Sequence, residues 1–152
     1  MSSYFAEVKW QRNGQDFLAN QYSRGHEWRF DGGVTVPASA SPHIVPLPWS
    51  VEENVDPEEA FAASLSSCHM LFFLSIAAKR KYQVESYTDN AEAIMEKNEQ
   101  GKLVISQVVL RPKIEFSGDK VPDQAAIDKL HHLAHENCFL ANSVKSQVVV
   151  ES

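Results

Sequence analysis

Two cysteines carry the chemistry that this chain could do. Cys68 and Cys138 lie 70 positions apart, each in helix-forming sequence. That arrangement suits a redox couple better than a structural staple or a zinc finger. The polar N-terminus MSSYFAEVKW reads as no export signal, so a reducing cytoplasm is expected, with both thiols normally free. In that compartment a cysteine pair is more often catalytic or metal-binding than structural.

A competing constellation shares one of the two thiols. His131, His135 and Cys138 follow one another at spacings of four and three, which places them on one helical face that could ligate zinc or another soft divalent metal. Under that reading Cys68 is a buried, inert thiol. The alternative is a histidine face on an ordinary packed helix, and the expectation is that the chain holds neither metal nor cofactor. His69 adjoins Cys68, but neighbouring helical residues point about 100° apart, so it reads as a core histidine rather than a base for the thiol. His26 reads as an ordinary strand residue. With six glycines and no GxGxxG, GxxxxGK[ST] or GxSxG, nucleotide and serine-hydrolase chemistry have no support.

The elements that must position the cysteines can be read from pattern. In DPEEAFAASLSSCHMLFFLSIAAKRK, Asp56 can cap a helix, Pro57 suits its first turn, and Glu58 and Glu59 complement the dipole. From Ala60 to Ala78 nearly every face is apolar, which predicts a buried central helix with Cys68 deep inside the molecule or an interface. Its small hydroxyl residues, His69 and acidic cap argue for a protein core rather than a membrane span. Pro122 and DQAAIDKLHHLAHENC predict a second helix ending near Cys138.

Around these helices the pattern is β. YFAEVKWQ and FLANQY read as a hairpin about Asn13-Gly14, HEWRF as a third strand, and Asp31-Gly32-Gly33 as a turn. Residues 37–50, with Pro37, Pro42, Pro46 and Pro48, read as a long irregular loop. YQVESYTDNAEAIMEKN and KLVISQVVLRPKIEF alternate about Glu99-Gln100-Gly101 as a long antiparallel hairpin, and VKSQVVVES reads as a last strand. The sum is one α+β domain over residues 1–152, with antiparallel sheets wrapped around a buried central helix. A helix so apolar needs cover on more than one side, which an intertwined dimer would supply.

Composition agrees: 152 residues at 43% hydrophobic make one core. A net charge of −6 without a basic run argues against nucleic acid and against an acidic membrane surface.

DPEEAFAASLSSCHMLFFL, followed by AHENCFLANSV, resembles the OsmC/Ohr family of thiol-dependent peroxidases, in whose motif a Pro-Glu pair precedes the first cysteine by ten residues. Glu58 and Cys68 keep that interval. The resemblance spans most of the chain. It implies an OsmC-like intertwined homodimer that reduces organic hydroperoxides to alcohols, with Cys68 attacking, Cys138 resolving, and an external dithiol (a lipoylated protein or a thioredoxin-type partner) regenerating both. It also implies a glutamate and an arginine beside the first cysteine. Glu58 matches the glutamate, although its plain role would be to serve the helix dipole. Ten helical residues rise about 15 Å, so Glu58 would have to act from a bend or from the other subunit. No arginine occurs between Ala38 and Asp56; of Arg12, Arg24 and Arg29, Arg24 fits best and Arg29 next. Two other classes stay open: a redox sensor or holdase-like module without turnover, and a dimer that binds a hydrophobic ligand or a metal.

Overall fold

The structure, a computed structural model, describes all 152 residues, Met1–Ser152. The chain divides into two compact units, Met1–Ala60 and Phe61–Ser152.

In the first unit β1 (Ala6–Lys9), β2 (His26–Phe30) and β3 (Thr35–Ala38) form an antiparallel sheet in that order. Asn13 and Gly14 do turn the chain with positive φ, 51° and 76°. The expected hairpin with FLANQY does not form, however. Residues 17–20 are turns held by an isolated Asp16–Gln21 bridge, and β1 pairs instead with HEWRF. The irregular loop also begins later than expected, because Pro37 belongs to β3 opposite Glu27. An edge strand tolerates proline, since an absent N–H costs no ladder bond on the open side. The Pro37 carbonyl is used by the Val55 N–H at 3.0 Å.

Helix α1 (Pro57–Lys79) starts where the sequence places it. Asp56 Oδ1 accepts from the Glu59 N–H at 2.8 Å and Glu59 Oε1 accepts from the Asp56 N–H at 3.0 Å, a reciprocal capping box. Within one chain its burial follows a single stripe. Only the stripe Ala62, Leu65, His69, Phe73 and Ala77, at spacings of three and four, is buried. Of its most apolar 18-residue window, with mean hydropathy 1.6, 28% is buried, and Leu71 is 60% exposed. By length and composition α1 could cross a bilayer, yet its buried stripe packs as a core helix does. One chain alone covers a single face of it.

The second unit contains β4 (Gln83–Asp89), β5 (Glu92–Lys97), β6 (Leu103–Leu110), β7 (Pro112–Ser117), α2 (Gln124–Asn137), a short 3₁₀ turn (Ala141–Ser143) and β8 (Gln147–Val150). The long hairpin is real at its tip, where Gly101 has φ 75° and Asn98 Oδ1 accepts from the Gln100 and Lys102 N–H groups. Farther from the tip it splits. β5 pairs with β6, whereas β4 pairs with β7 in a separate two-stranded sheet. Asp89 fastens the split: its carboxylate accepts from the Arg111 N–H at 2.6 Å and from the Ser66 hydroxyl of α1. The sheets are not wholly antiparallel as expected. β8 returns after α2 and joins β6 in parallel, Val108 opposite Val148, the direction a helical crossover permits.

Two clusters form the core. Leu65 meets Val108 and Leu110 of β6, and Phe73 and Ala77 meet Leu130 and Ala134 of α2. Between them α1 and α2 place Cys68 and Cys138.

Candidate functional site

α2 begins at Asp123, whose Oδ1 accepts from the Ala126 N–H at 2.8 Å, and ends at Cys138, the C-cap residue. Cys138 leaves the helix with extended backbone (ψ 113°), and its own N–H donates to the His135 carbonyl at 3.3 Å. This exit aims the thiol inward, where it is 1% exposed. Cys68, in mid-α1, is half-buried, and both thiols are free.

The two thiols are neighbours. Burial, first, and the Cys68 thiol beside it, second, push the Cys138 thiol above its ordinary pKa. Backbone N–H groups of Ala141 and Leu140 pull the other way, the former lying 3.4 Å from Sγ. Cys138 is therefore held as a thiol at neutral pH. The pair is asymmetric: one sulfur is partly open to solvent and the other is enclosed and protonated. Phe72 and Phe139, each flanking the site, meet edge to face at 5.0 Å, and Phe139 is 71% exposed.

The charged residues expected at the site lie in the first unit, each already placed by its own neighbours. Arg24 stacks its guanidinium 3.6 Å from the Tyr22 ring centroid and donates to the Tyr22 carbonyl at 2.6 Å and to Asn20 Oδ1 at 2.7 Å. It borders an open apolar cavity of about 440 Å³ with Val8, Trp10, Phe17, Tyr22 and Pro57. Arg29 lies on the surface of β2, paired with Glu27 at 3.0 Å and Glu7 at 3.7 Å. Its charge is therefore already matched, and of the two arginines Arg24 alone has no carboxylate partner. Glu58 takes no part in the capping box, which Asp56 and Glu59 form. Its Oε2 is buried without a hydrogen-bond partner. A carboxylate oxygen so placed is costly, and a donor would relieve it.

His26 is locked at both nitrogens. Trp28 Nε1 donates to Nε2 at 3.1 Å, so Nδ1 carries the proton and donates to the Arg24 carbonyl at 2.7 Å. It is the strand residue that the sequence predicts.

The histidines of α2 do not gather as a metal face. No group of three His, Cys, Asp or Glu side chains is disposed to hold an ion. His131 instead turns to His69: Nε2 of His69 lies 2.9 Å from Nδ1 of His131, with the rings stacked at 5.2 Å and 12°. That pairing was not legible from spacing, because 62 positions separate the partners; the sequence offered only two histidines, each at a position where its helix is apolar on the adjacent face.

An OsmC-like protein family model matches residues 51–152. Among solved structures, an OsmC-like protein of unknown function from Vibrio cholerae is 61% identical, with 99% of each chain covered and a TM-score of 0.97. An organic hydroperoxide resistance protein from Elizabethkingia anophelis superposes at a TM-score of 0.71 with 18% identity, covering 99% of this chain and 93% of that one. The organic hydroperoxide resistance protein OhrB of Bacillus subtilis gives 0.66, 18%, 99% and 96%. At such identities the likeness is one of fold. No curated protein sequence matches the chain.

Proposed function

The chain belongs to the OsmC-like family, and from that premise we propose that it is a cysteine-based peroxidase that reduces organic hydroperoxides to alcohols. The observation that carries this reading is the contact of a partly open Cys68 with an enclosed, protonated Cys138. Accessibility supports these roles, since Cys68 is half-buried and Cys138 is enclosed.

In the proposed cycle the Cys68 thiolate attacks the terminal peroxide oxygen. The O–O bond breaks, the alkoxide takes a proton and leaves as alcohol, and Cys68 becomes a sulfenic acid. Cys138 then gives up its proton, its sulfur attacks the Cys68 sulfur, and a disulfide forms with loss of water. The peroxide has gained two electrons and the two thiols have lost them. An external dithiol, from a lipoylated protein or a thioredoxin-type partner, restores both thiols and becomes a disulfide itself.

Arg24 and Glu58 are the proposed charged residues of the site. A guanidinium polarises the peroxide and favours a thiolate, and the orphaned Glu58 oxygen is a fitting acceptor for its N–H groups. The whole chain is proposed to work as one domain within an intertwined homodimer in the cytoplasm. The apolar faces of α1 left open in one chain support that assembly.

Dithiothreitol-dependent turnover of cumene hydroperoxide and of hydrogen peroxide tests the proposal. Sustained consumption of cumene hydroperoxide, faster than that of hydrogen peroxide, is expected. A single equivalent consumed, with no further turnover at excess dithiol, would instead make the protein a one-shot sensor.

A further inference from the structure

The core between α1 and α2 holds a polar pair where apolar residues would pack more cheaply. His69 is 1% exposed and His131 4% exposed. Their single shared hydrogen bond leaves Nδ1 of His69 and Nε2 of His131 buried without partners. Whichever ring donates, one N–H and one lone pair go unmet inside the core, which is unfavourable. Phe73 packs on the His131 ring at a centroid distance of 4.5 Å, so the pair is seated within the hydrophobic cluster that joins the two helices.

We infer that His69 and His131 form an acid-sensitive latch, which holds α2 and its C-cap Cys138 against α1 while both rings are neutral and releases them when a ring is protonated. The geometry favours neutrality. At 2.9 Å one ring nitrogen donates and the other accepts, and the lone pair left over is buried without a partner, so a proton taken there would bury a charge that nothing pairs.

The surroundings do not rescue the charged form. From β4 the charged group that acts on the pair is Asp89, with Tyr87 packed nearby on Phe73, and from α2 they are Asp128 and His135. Tyr87 is held neutral by burial and by Asp89, its pKa raised well above its usual value. Asp128 and Asp89 favour protonated His131, but burial outweighs them and its pKa falls. Burial, then His131 and His135, bring His69 from 6.5 to about 4. Asp89 is also committed to the Arg111 N–H and the Ser66 hydroxyl.

The sign follows from linkage. Because the folded pKa values are depressed, the unfolded chain binds more protons in mild acid. The stabilisation is complete above about pH 6.5 and is lost as pH falls toward 4. For His69 alone, a fall from pH 7 to 5 multiplies the unfolding constant roughly twentyfold.

The test is urea unfolding of the full chain at pH 7 and pH 5, at fixed protein concentration, for wild type and the double variant His69→Gln/His131→Asn. The two amides retain a neutral hydrogen bond in place of the imidazoles. Wild type should show at least the roughly twentyfold rise that His69 alone supplies, and the variant less than about a threefold one. In parallel, NMR of the imidazole rings in folded wild type should show His69 and His131 still neutral at pH 5. Either ring titrating near pH 6.5 in the folded protein, or an undiminished acid loss in the variant, would overturn the latch. If the double variant does not fold, the ring titration decides alone. Neither readout involves peroxide, so the latch and the peroxidase reading stand or fall separately.

Discussion

The two units of this chain are built to different standards of self-sufficiency. Phe61–Ser152 has two apolar clusters, from Leu65 against β6 to Phe73 against α2, with fully buried side chains on α1, β6 and α2. Met1–Ala60 has a regular three-stranded sheet but one buried apolar residue, Ala38, beside Ser39, Ser41, Ser50 and Asp56. Phe5, Val8, Phe30 and Val34 remain 40–69% exposed. A three-stranded sheet is marginal without a packed face. The difference divides the proposed labour: the second unit seats the cysteines beside its own core, and the first carries Arg24 and Glu58 on a framework with little buried apolar surface.

Substitutions can break this contrast, and they are ordered here by expected effect. Cys68→Ser should lower steady-state turnover of cumene hydroperoxide by at least about a thousandfold, since it removes the attacking sulfur; retained turnover would move the chemistry elsewhere. Phe73→Ala, in the self-sufficient unit, should cost about 3–5 kcal/mol in urea unfolding, as a fully buried aromatic whose space cannot be refilled. Arg24→Ala should cut turnover by about a hundredfold at nearly unchanged stability, the scale of losing one electrostatic contact to a reacting group. Arg29→Ala is the matched control. Its exposed ion pairs predict a change within about 0.5 kcal/mol and no kinetic effect.

Two further substitutions sharpen the comparison. Leu71→Glu places a charge on the uncovered face of α1 and should weaken self-association by at least about tenfold in sedimentation analysis. A chain that is monomeric before and after would remove the partner from the account. Asp123→Ala, which deletes the cap of α2, should cost about 1 kcal/mol in thermal or urea unfolding.

What the sequence revealed tracks the range of the interactions involved. Helix starts are local: Asp56, Pro57 and Glu59, or Asp123 three residues before Ala126, contain their own hydrogen bonds, and both helices begin within two residues of the expected position. The turns at Asn13-Gly14 and at Gly101 are legible for the same reason, as positive-φ sites. Pairing is not local. FLANQY has strand-like residues but meets no partner, and Pro37 escapes the usual ban because β3 is an edge. The parallel entry of β8 depends on α2 lying between it and β6.

The site divides in the same way. The cysteines were legible as a motif, and their contact depends on a backbone exit at Cys138 that no pattern announces. The helical face of His131, His135 and Cys138 was legible as periodicity, but nothing in it announced that His131 pairs with His69 across the helix pair. The cap at Asp56 was legible, and the structure adds its reciprocal bond with Glu59 and the unmatched buried oxygen of Glu58.

Intact-mass analysis after one equivalent of cumene hydroperoxide, on reduced wild type and Cys138→Ser, tests the assigned roles of the two cysteines most directly. The account predicts loss of two hydrogens in wild type, mapped to a Cys68–Cys138 disulfide, and gain of one oxygen at Cys68 in the variant, trapped by a sulfenic-acid reagent. Unmodified thiols in both proteins, or an oxygen found on Cys138 while Cys68 stays reduced, would contradict it.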